Sequence, residues 1–363
     1  MGGMERIVKS LVSHLRKQRL DIRVILPGHV DDKEAAQTQQ WFSHEGVRAE
    51  THPALQHSFR RRTLGHLFAL WRLVRLAGAP VVNIHYCLAH IPLMDVLAIR
   101  LAGRRCIVSL HAVGKRHALP TYRQDLKTRL ASRFCTSVVV VSRFQQQGLD
   151  RVGVASEKIV VIPCGVSISP ARVPRAEARA SLGLPPDSFV IATACRLVTA
   201  KGTAELIEAV SHIPDPCGEL RLIIAGEGSE REALVRLADA RLKGRCQFLG
   251  FVTDMSAFYQ AADVFALASH NESFGLVYAE AALCGVPSVG TRVGGIPETV
   301  SDGETGLLAA PHDPGALAAA LQTLWESPDL RERLGHAAQQ RARAEFTEAV
   351  MVLRYRDVLG IAP

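Results

Sequence analysis

The sequence predicts an α/β protein of two doubly wound domains, each a parallel sheet covered by helices. Short β-branched runs alternate with helix-length amphipathic segments along the whole chain, the pattern typical of parallel strands joined by crossover helices. The 363 residues exceed what one hydrophobic core usually spans. Residues 163–186 carry five prolines and little apolar periodicity, as a linker would. We therefore place an N-terminal domain at 1–165 and a C-terminal domain at 166–346, with a final helix at 347–363 crossing back to the first.

The first domain is expected to hold six strands, at residues 22–26, 47–51, 81–85, 106–110, 138–141 and 159–162. A Gly-Gly turn and a helix over residues 4–19 come before them, with no strand ahead. The opening strand of a doubly wound sheet is central, so its absence would leave backbone groups of both neighbouring strands unpaired. We therefore expect that this strand is missing here and that the native chain starts upstream of Met1.

The second domain repeats the pattern with six further strands, at residues 189–194, 222–225, 246–249, 264–267, 288–290 and 306–309. Three helices close the chain, beginning at Pro314, Asp329 and Glu348. The last of these three is the helix expected to cross back.

Composition indicates a globular protein in a reducing compartment. Apolar residues make up 48% and charged residues 21%, and no run approaches the roughly 18 apolar residues that cross a bilayer. No secretory signal is visible at the start. The eight cysteines stand alone and never form C-x-x-C, so zinc sites and disulfides are not expected. The expected location is the cytoplasm.

The two halves of the chain differ in charge. Residues 1–165 hold 25 Lys and Arg against 11 Asp and Glu, a net charge of +14, whereas residues 166–363 hold 18 against 24, a net charge of −6. A basic first half points to an anionic partner, such as phospholipid head groups, a phosphorylated acceptor or nucleic acid. Simple solubility is the alternative.

The most informative segment is residues 270–287. Its pattern predicts a loop, then a short apolar helix, then a helix-terminating turn. Asn271 or Ser273 can cap this helix, and Gly285 can end it. A carboxylate inside such a helix, Glu280, is costly unless a polar group such as a ligand hydroxyl pair meets it. Glu272 lies at the helix mouth, where the amides of residues 275–277 suit a phosphate. The alternative is an ordinary N-terminal acid at Glu272 and a basic partner for Glu280.

A second segment, residues 195–202, places two cations around the first strand-to-helix turn of the same domain. Arg196 stands at the strand end and Lys201 at the helix start. Both can reach a diphosphate at the carboxyl edge of the sheet, where ligands of open α/β sheets bind. A solvated surface pair is the alternative.

With these motifs in one order, the chain resembles glycosyltransferase family four over essentially its whole length. The resemblance implies the GT-B fold: two Rossmann-like domains facing a cleft. The matching segments are residues 2–6 (GGMER), 196–202 (RLVTAKG), 225–228 (AGEG), 248–252 (FLGFV), 272–280 (ESFGLVYAE) and 294–298 (GGIPE). Two departures, Cys195 for the usual Gly and Cys164-Gly165 for the usual Asn-Gly, bear on donor fit.

The resemblance also implies a role for each site residue. Arg196 and Lys201 would hold the donor diphosphate, Glu272 the donor sugar and Glu280 the ribose hydroxyls. His111 would face the donor hexose from the opposite lobe. The other donor-binding positions would be Gly2 and Gly3 through close backbone approach, Val252 through its backbone to the base, and the turn of Ser273, Phe274, Gly275, Leu276 and Val277.

The expected activity is retaining glycosyl transfer from a nucleotide-diphosphate sugar without metal or other cofactor. No Asp-x-Asp occurs in the chain, so a catalytic metal has no obvious ligands. The acceptor would be a glycan, with a lipid-linked or cell-envelope glycan (polysaccharide or glycolipid) as one candidate. A nucleotide-sugar epimerase of similar fold is the nearer alternative. A basic nucleic-acid-binding protein is disfavoured because no nucleic-acid module accompanies the charge, and no nucleic-acid partner is expected.

One segment suggests peripheral binding to an anionic membrane on the cytoplasmic face. Residues 59–75 put a basic cluster, Arg60 to Arg62, before a helix with more apolar positions than one buried stripe needs. Phe68 or Trp71 would then dip below the head groups. The alternative is an ordinary amphipathic crossover helix with a solvated arginine rim.

Overall fold

The computed structural model describes residues 3–17, 20–27, 32–52, 64–86, 90–111, 122–168 and 173–361. The chain divides into two compact units, one formed by Met1–Pro163 with Glu348–Pro363 and the other by Cys164–Thr347. The sequence analysis placed the corresponding divisions after residues 165 and 346. The last helix is counted with the first unit, so its segment does return there.

Both units are built from parallel strands and helices. The strands are β1 Arg23–Pro27, β2 Arg48–His52, β3 Val81–Tyr86, β4 Arg105–Leu110, β5 Ser137–Val140, β6 Ile159–Val161, β7 Phe189–Ala194, β8 Leu220–Ala225, β9 Cys246–Gly250, β10 Val264–Leu267, β11 Ser288–Thr291 and β12 Gly306–Ala309. The helices are α1 Gly3–Lys17, α2 Asp32–His44, α3 Leu64–Ala77, α4 Leu93–Leu101, α5 Tyr122–Phe134, α6 Arg143–Val152, α7 Arg175–Ser181, α8 Thr203–His212, α9 Arg231–Leu242, α10 Met255–Ala261, α11 Leu276–Leu283, α12 Ile296–Thr299, α13 Pro314–Glu326, α14 Pro328–Glu345 and α15 Glu348–Leu359. All twelve predicted strands are confirmed in position.

The first unit holds two separate parallel sheets. One is the pair β1-β2, and the other has the order β3-β4-β5-β6. Within the described ranges, β3 pairs with β4 alone, and no strand joins the two sheets. The larger sheet carries the main core, with Val96 and Ile99 of α4 packed against Val108 and Val138. A smaller cluster around Phe42 supports β1-β2.

Helix α15 is fixed to the first unit by specific contacts. Two guanidinium nitrogens of Arg105 donate to the carbonyls of Val358 and Leu359, both at 3.2 Å. Tyr355 is fully buried and donates its hydroxyl to Ser109 Oγ at 3.3 Å. The two bonds from Arg105 satisfy carbonyls at the helix end that would otherwise lack intrahelical partners.

The second unit is one six-stranded parallel sheet with the order β12-β11-β10-β7-β8-β9. Alternate residues of each central strand enter different cores, because successive side chains point to opposite faces. Ile191 and Leu222 belong to one core, while Val190 and Ile223 belong to the other. Helices therefore cover both faces of the sheet, as is usual when all strands are parallel. The ends of the strands lie outside these two faces.

The cysteines that the structure describes all carry free thiols. Burial raises the pKa of the Cys246 and Cys284 thiols to about 12. These two side chains therefore stay protonated near neutral pH.

Candidate active site

The turn after β7 carries the two predicted cations. Arg196 is exposed, whereas its neighbour Leu197 is fully buried and anchors the turn. The Leu197 amide donates to the carbonyl of Glu227 at 2.9 Å, which ties this turn to the loop after β8. A short 3-10 turn over Thr199–Lys201 then leads into α8. Arg196 is thus held at the carboxyl edge of the sheet with its charge in solvent.

Gly202 lets this turn lie directly on the end of β10. Its φ is +63°, and a Cβ placed there would be 1.9 Å from the carbonyl oxygen of Ala268. No other residue fits without moving backbone. The close approach brings Lys201 to the loop after β10, where its ammonium group donates to Glu272 Oε2 and forms an ion pair.

Glu272 is the carboxylate that this arrangement sets beside the cations. Its side chain is 17% exposed, and the hydroxyl of Ser269 lies 3.5 Å from the same oxygen, Oε2. The amide of Gly295 donates to the carbonyl of Glu272 at 3.0 Å. A Cβ on Gly294 would lie 2.0 Å from that carbonyl oxygen, so glycine is needed at position 294 for the loops to meet. Glu272 is therefore held from two sides, by Lys201 and by the segment at Gly294 and Gly295, which lie far apart from each other in the sequence.

The start of α11 differs from the expected cap. Gly275, and not Asn271 or Ser273, is the N-cap residue, and no side chain caps the helix. Gly275 has a φ of +87°, which turns the chain sharply into the helix. The leading amides of Leu276 and Val277 have no partner within the helix, as at any helix start. The predicted stop is confirmed, since Gly285 has a positive φ and its amide donates to Ala282 at 2.9 Å.

Phe274 and Ser273 precede this cap in different surroundings. The Phe274 ring is 3% exposed and packs edge-on against Phe346, with ring centroids 5.4 Å apart. Its carbonyl accepts the hydroxyl of Thr299 at 2.6 Å. The Phe274 side chain is therefore part of the core, whereas Ser273 is only partly buried.

Glu280 is buried at 2% exposure on the inner side of α11. The hydroxyl of Tyr259 donates to Glu280 Oε2 at 2.9 Å. Tyr259 was not predicted as this partner; a ligand hydroxyl pair, or alternatively a basic residue, was expected to meet Glu280. A tyrosine within the apolar helix α10 was the available signal, because a buried phenol hydroxyl usually finds a hydrogen-bond partner.

Val252 follows β9 at the same carboxyl edge of the sheet. It is partly buried against the core beside β8 and β10. The preceding Gly250 has a φ of +64°, and its carbonyl accepts the amide of Gly226 at 2.7 Å. The loops after β7, β8 and β9 are thus joined by backbone hydrogen bonds.

His111 lies in the first unit, directly after β4, and heads a chain of hydrogen bonds. Its Nε2 is 2.9 Å from Nδ1 of His85, and the rings stack at 12°. Nε2 of His85 lies 3.1 Å from the side-chain amide nitrogen, Nδ2, of Asn83. The Asn83 oxygen accepts the hydroxyl of Ser109 at 2.9 Å, and Ser109 accepts that of Tyr355.

The orientation of the Asn83 side-chain amide determines which nitrogen of each imidazole carries the proton. Asn83 donates to His85 Nε2, so the proton of His85 is on Nδ1 and is donated to His111 Nε2. The proton of His111 is therefore on its Nδ1, which is buried and has no partner within the described ranges. Burial lowers the pKa of His85 to about 4, and burial together with His85 lowers that of His111. His111 is thus a neutral N–H donor.

The sequence analysis missed the residues behind His111. Asn83 and His85 alternate with Val82 and Ile84 in β3, so they share one face of the strand. Two polar residues on one face of an otherwise apolar strand were the signal for a hydrogen-bonded chain. Gly2 lies outside the described residues, and Gly3 is the first residue of α1.

The chain has two α/β units built on parallel strands, and charged loops follow the carboxyl ends of the strands in the second unit. This architecture is that of the GT-B class. The chain belongs to glycosyltransferase family four. Residues 1–169 match the family model Glycosyltransferase Family 4, and residues 174–341 match the model Glycosyl transferases group 1.

One curated relative and two solved structures illustrate what this chain is similar to. The D-inositol 3-phosphate glycosyltransferase of Xylanimonas cellulosilytica is 36% identical over 223 residues, 57% of this chain and 52% of that protein. The match thus spans about half the length of that curated relative. HepE of Anabaena, solved with UDP, aligns over 99% of this chain and 97% of its own, with 23% identity and a TM-score of 0.83. A glycosyltransferase from Rickettsia africae aligns over 99% and 94%, with 20% identity and a TM-score of 0.84.

Proposed function

We propose that this protein is a glycosyltransferase that moves a sugar from a nucleotide-diphosphate sugar to an acceptor. The observation that carries the proposal is the Lys201–Glu272 ion pair beside exposed Arg196 and the uncapped start of α11. Cations, a carboxylate and helix amides at one sheet edge suit a ligand with both phosphates and hydroxyls. The curated relatives named D-inositol 3-phosphate glycosyltransferase support the same reaction class.

Each site residue takes one part of the donor in this proposal. Arg196, Lys201 and the first amides of α11 bind the diphosphate, and the ammonium of Lys201 moves from Glu272 to phosphate oxygens. Glu272 is then released to accept hydrogen bonds from sugar hydroxyls. Glu280 meets the ribose hydroxyls, and the backbone of Val252 meets the base. For His111, contact with the donor hexose stays a prediction.

The proposed chemistry retains the anomeric configuration and needs no metal. The bond between the anomeric carbon and the diphosphate oxygen breaks, and the acceptor hydroxyl adds to the same face of the sugar. A phosphate oxygen takes the acceptor proton as the nucleotide leaves. Arg196, Lys201 and the helix amides stabilise the charge that develops on the leaving diphosphate. One such preorganised donor typically contributes about 3 to 4 kcal/mol.

The proposed acceptor is an anionic or lipid-linked glycan or polyol at the membrane surface, as in cell-envelope synthesis. The basic first half of the chain favours an anionic partner. Helix α3 exposes Leu64, Phe68 and Leu76 at 78%, 59% and 73%. Arg72 and Arg75 are also exposed on this helix, whereas Leu70 and Val74 face the core. An apolar and basic outer face is typical of helices that lie in the interface of anionic membranes.

Within the described ranges no helix is long and apolar enough to cross a membrane. The basic cluster Arg60 to Arg62 lies outside the described residues. The proposed membrane contact is therefore argued from α3 alone.

The reaction is tested by incubating the purified chain with an isotopically labelled sugar nucleotide and acceptors of both kinds, inositol phosphates and lipid-linked sugars. UDP-glucose is the first donor to use, followed by other sugar nucleotides. We expect a glycoside whose anomeric coupling in NMR spectra matches the configuration of the donor. An inverted product would contradict retention. If the sugar nucleotide is isomerised and no sugar is transferred, the protein is a nucleotide-sugar epimerase and the proposed function is wrong.

A further inference from the structure

Three potential metal ligands meet beside the proposed donor site. Glu205 in α8, His270 after β10 and His312 after β12 each offer one ligand atom, and these atoms all lie within 4.8 Å of one another. His270 Nε2 is 2.6 Å from Glu205 Oε1. The His270 and His312 rings have centroids 4.3 Å apart and are tilted by 47°. We propose that Glu205, His270 and His312 form a binding site for a divalent transition-metal ion such as Zn²⁺.

The ligand types select the class of ion. Two imidazole nitrogens and one carboxylate oxygen suit Zn²⁺ and its neighbours, whereas Mg²⁺ and Ca²⁺ prefer oxygen ligands alone. With ligand bonds of about 2.1 Å, a tetrahedral ion needs its ligand atoms about 3.4 Å apart. His270 Nε2 and Glu205 Oε1, 2.6 Å apart as hydrogen-bond partners, separate to that distance when an ion replaces the hydrogen bond. His312 is exposed and closes the remaining gap by a change of rotamer. A water molecule or an anion would complete the tetrahedron.

Each ligand side chain is placed by backbone structure. The amide of His270 donates to the carbonyl of Ala200 at 3.0 Å, which fixes its loop against the turn before α8. Glu205 stands in the first turn of α8. His312 is one of two non-glycine residues with a positive φ in the described chain, at +57°. The three ligands follow β7, β10 and β12 along the chain, and the carboxyl ends of these parallel strands share one edge of the sheet.

A plain hydrogen bond between His270 and Glu205 accounts for only two of the three residues. It gives no role to the second imidazole beside them. No linear motif marks this cluster in the sequence, because Glu205 and His270 are 65 residues apart. The ion is also not required at the diphosphate. Its effect would be to cross-link the loops that carry Lys201 and Glu272.

The site is tested with the full chain carrying no histidine tag, first stripped with a chelator that is then removed. Co²⁺ is titrated and followed by its visible absorption, which is strong only in a tetrahedral site, and Zn²⁺ is then added as competitor. The variants are His312→Gln and Glu205→Gln. His336→Gln is the matched control, because His336 is an exposed histidine of α14 away from the cluster. Melting temperature with and without Zn²⁺ is measured for each.

We expect one equivalent of Co²⁺ with tetrahedral bands, displacement by Zn²⁺, and a rise in melting temperature with Zn²⁺. His312→Gln and Glu205→Gln should each weaken binding by about 10-fold or more, while His336→Gln should bind as the wild type does. Absent tetrahedral bands, or equal affinity in the wild type and His312→Gln, would overturn the proposal. Because both readouts are independent of turnover, the result does not depend on the proposed reaction.

Discussion

The charges of Lys201 and Glu272 neutralise each other in the structure, and Arg196 keeps its charge in solvent. A diphosphate would compete with Glu272 for Lys201 and engage Arg196 directly. The sequence predicted all three residues as site residues, but it did not predict this ion pair. Their side chains meet only because Gly202 brings two loops into contact, which a linear motif does not reveal.

The two cations give the first prediction. Replacing Arg196 or Lys201 by Ala should lower turnover by about 10²-fold or more, because each removes a donor to the developing charge. Steady-state kinetics with a saturating donor measures the loss, and circular dichroism checks the fold. Arg236→Ala, on exposed α9 of the same unit, is the control. Near-normal turnover of both site variants would remove the phosphate assignment.

The buried imidazole of His85 gives a prediction for stability against pH. Burial holds its pKa near 4 in the folded protein, against about 6.5 when unfolded. Between these values only the unfolded chain binds the proton, so this stabilisation is complete above pH 6.5 and is lost as pH falls towards 4. The free energy of unfolding should therefore drop by on the order of 3 kcal/mol across that window.

Urea unfolding of the wild type and His85→Gln at about pH 7 and pH 4.5 measures this term. The variant should lose less stability on acidification than the wild type does. His44→Gln, at an exposed position of α2, should behave as the wild type. An equally steep loss in His85→Gln would assign the acid sensitivity to other groups.

At the scale of elements, the strand positions and the end of α11 were predictable, whereas the start of α11 was not. Most of the twelve strands are short apolar runs between turn residues, a signal that is present in the sequence alone. The start of α11 depends instead on Gly275 adopting a left-handed conformation, with Tyr278 donating its amide to the Gly275 carbonyl. Asn271 and Ser273 were predicted as the N-cap instead, because both have side chains that commonly cap helices.

Gly202 and Gly183, both in the second unit, allow two reasons for glycine to be compared: a left-handed backbone conformation and a close approach of another backbone segment. Both have a positive φ, but a Cβ on Gly183 would meet nothing within 4 Å, whereas one on Gly202 would strike Ala268. Gly183→Ala should therefore cost about 1 kcal/mol for the left-handed conformation alone. Gly202→Ala should cost about 3 kcal/mol or more, because backbone must move. Urea midpoints compare the two, and equal losses would contradict the close approach.

Helix α3 gives a prediction for membrane binding. Changing exposed Phe68 and Leu76 together to Ser should leave stability nearly unchanged but reduce co-sedimentation with anionic vesicles about 10-fold. Leu353→Ser is the control, since Leu353 is an apolar residue 57% exposed on α15. The wild type should bind anionic but not neutral vesicles, and salt should weaken that binding. A wild type that stays in the supernatant with anionic vesicles at low salt would refute the membrane proposal.

For the whole molecule, the alternation of strands and helices was enough to predict two α/β units, because each element is recognisable locally. The six strands of the first unit were expected to belong to a doubly wound sheet with its opening strand missing. They form two sheets, and no described strand lies between β1-β2 and β3. The chain of hydrogen bonds from Tyr355 to His111 could not be predicted either. It joins α15 to β3 and β4 across more than 200 residues, as the 246-residue separation of Tyr355 and Ser109 shows.

In the proposed function, side chains and helix amides hold the diphosphate of the donor without a divalent metal. The most direct test of this proposal is calorimetric titration of the full chain with UDP and with GDP, in excess EDTA and in Mg²⁺. We predict that at least one diphosphate binds equally well in both conditions, and that Arg196→Ala and Lys201→Ala weaken its binding about 10-fold or more. Binding that disappears in EDTA and returns with Mg²⁺, or that is unchanged in both variants, would contradict the account.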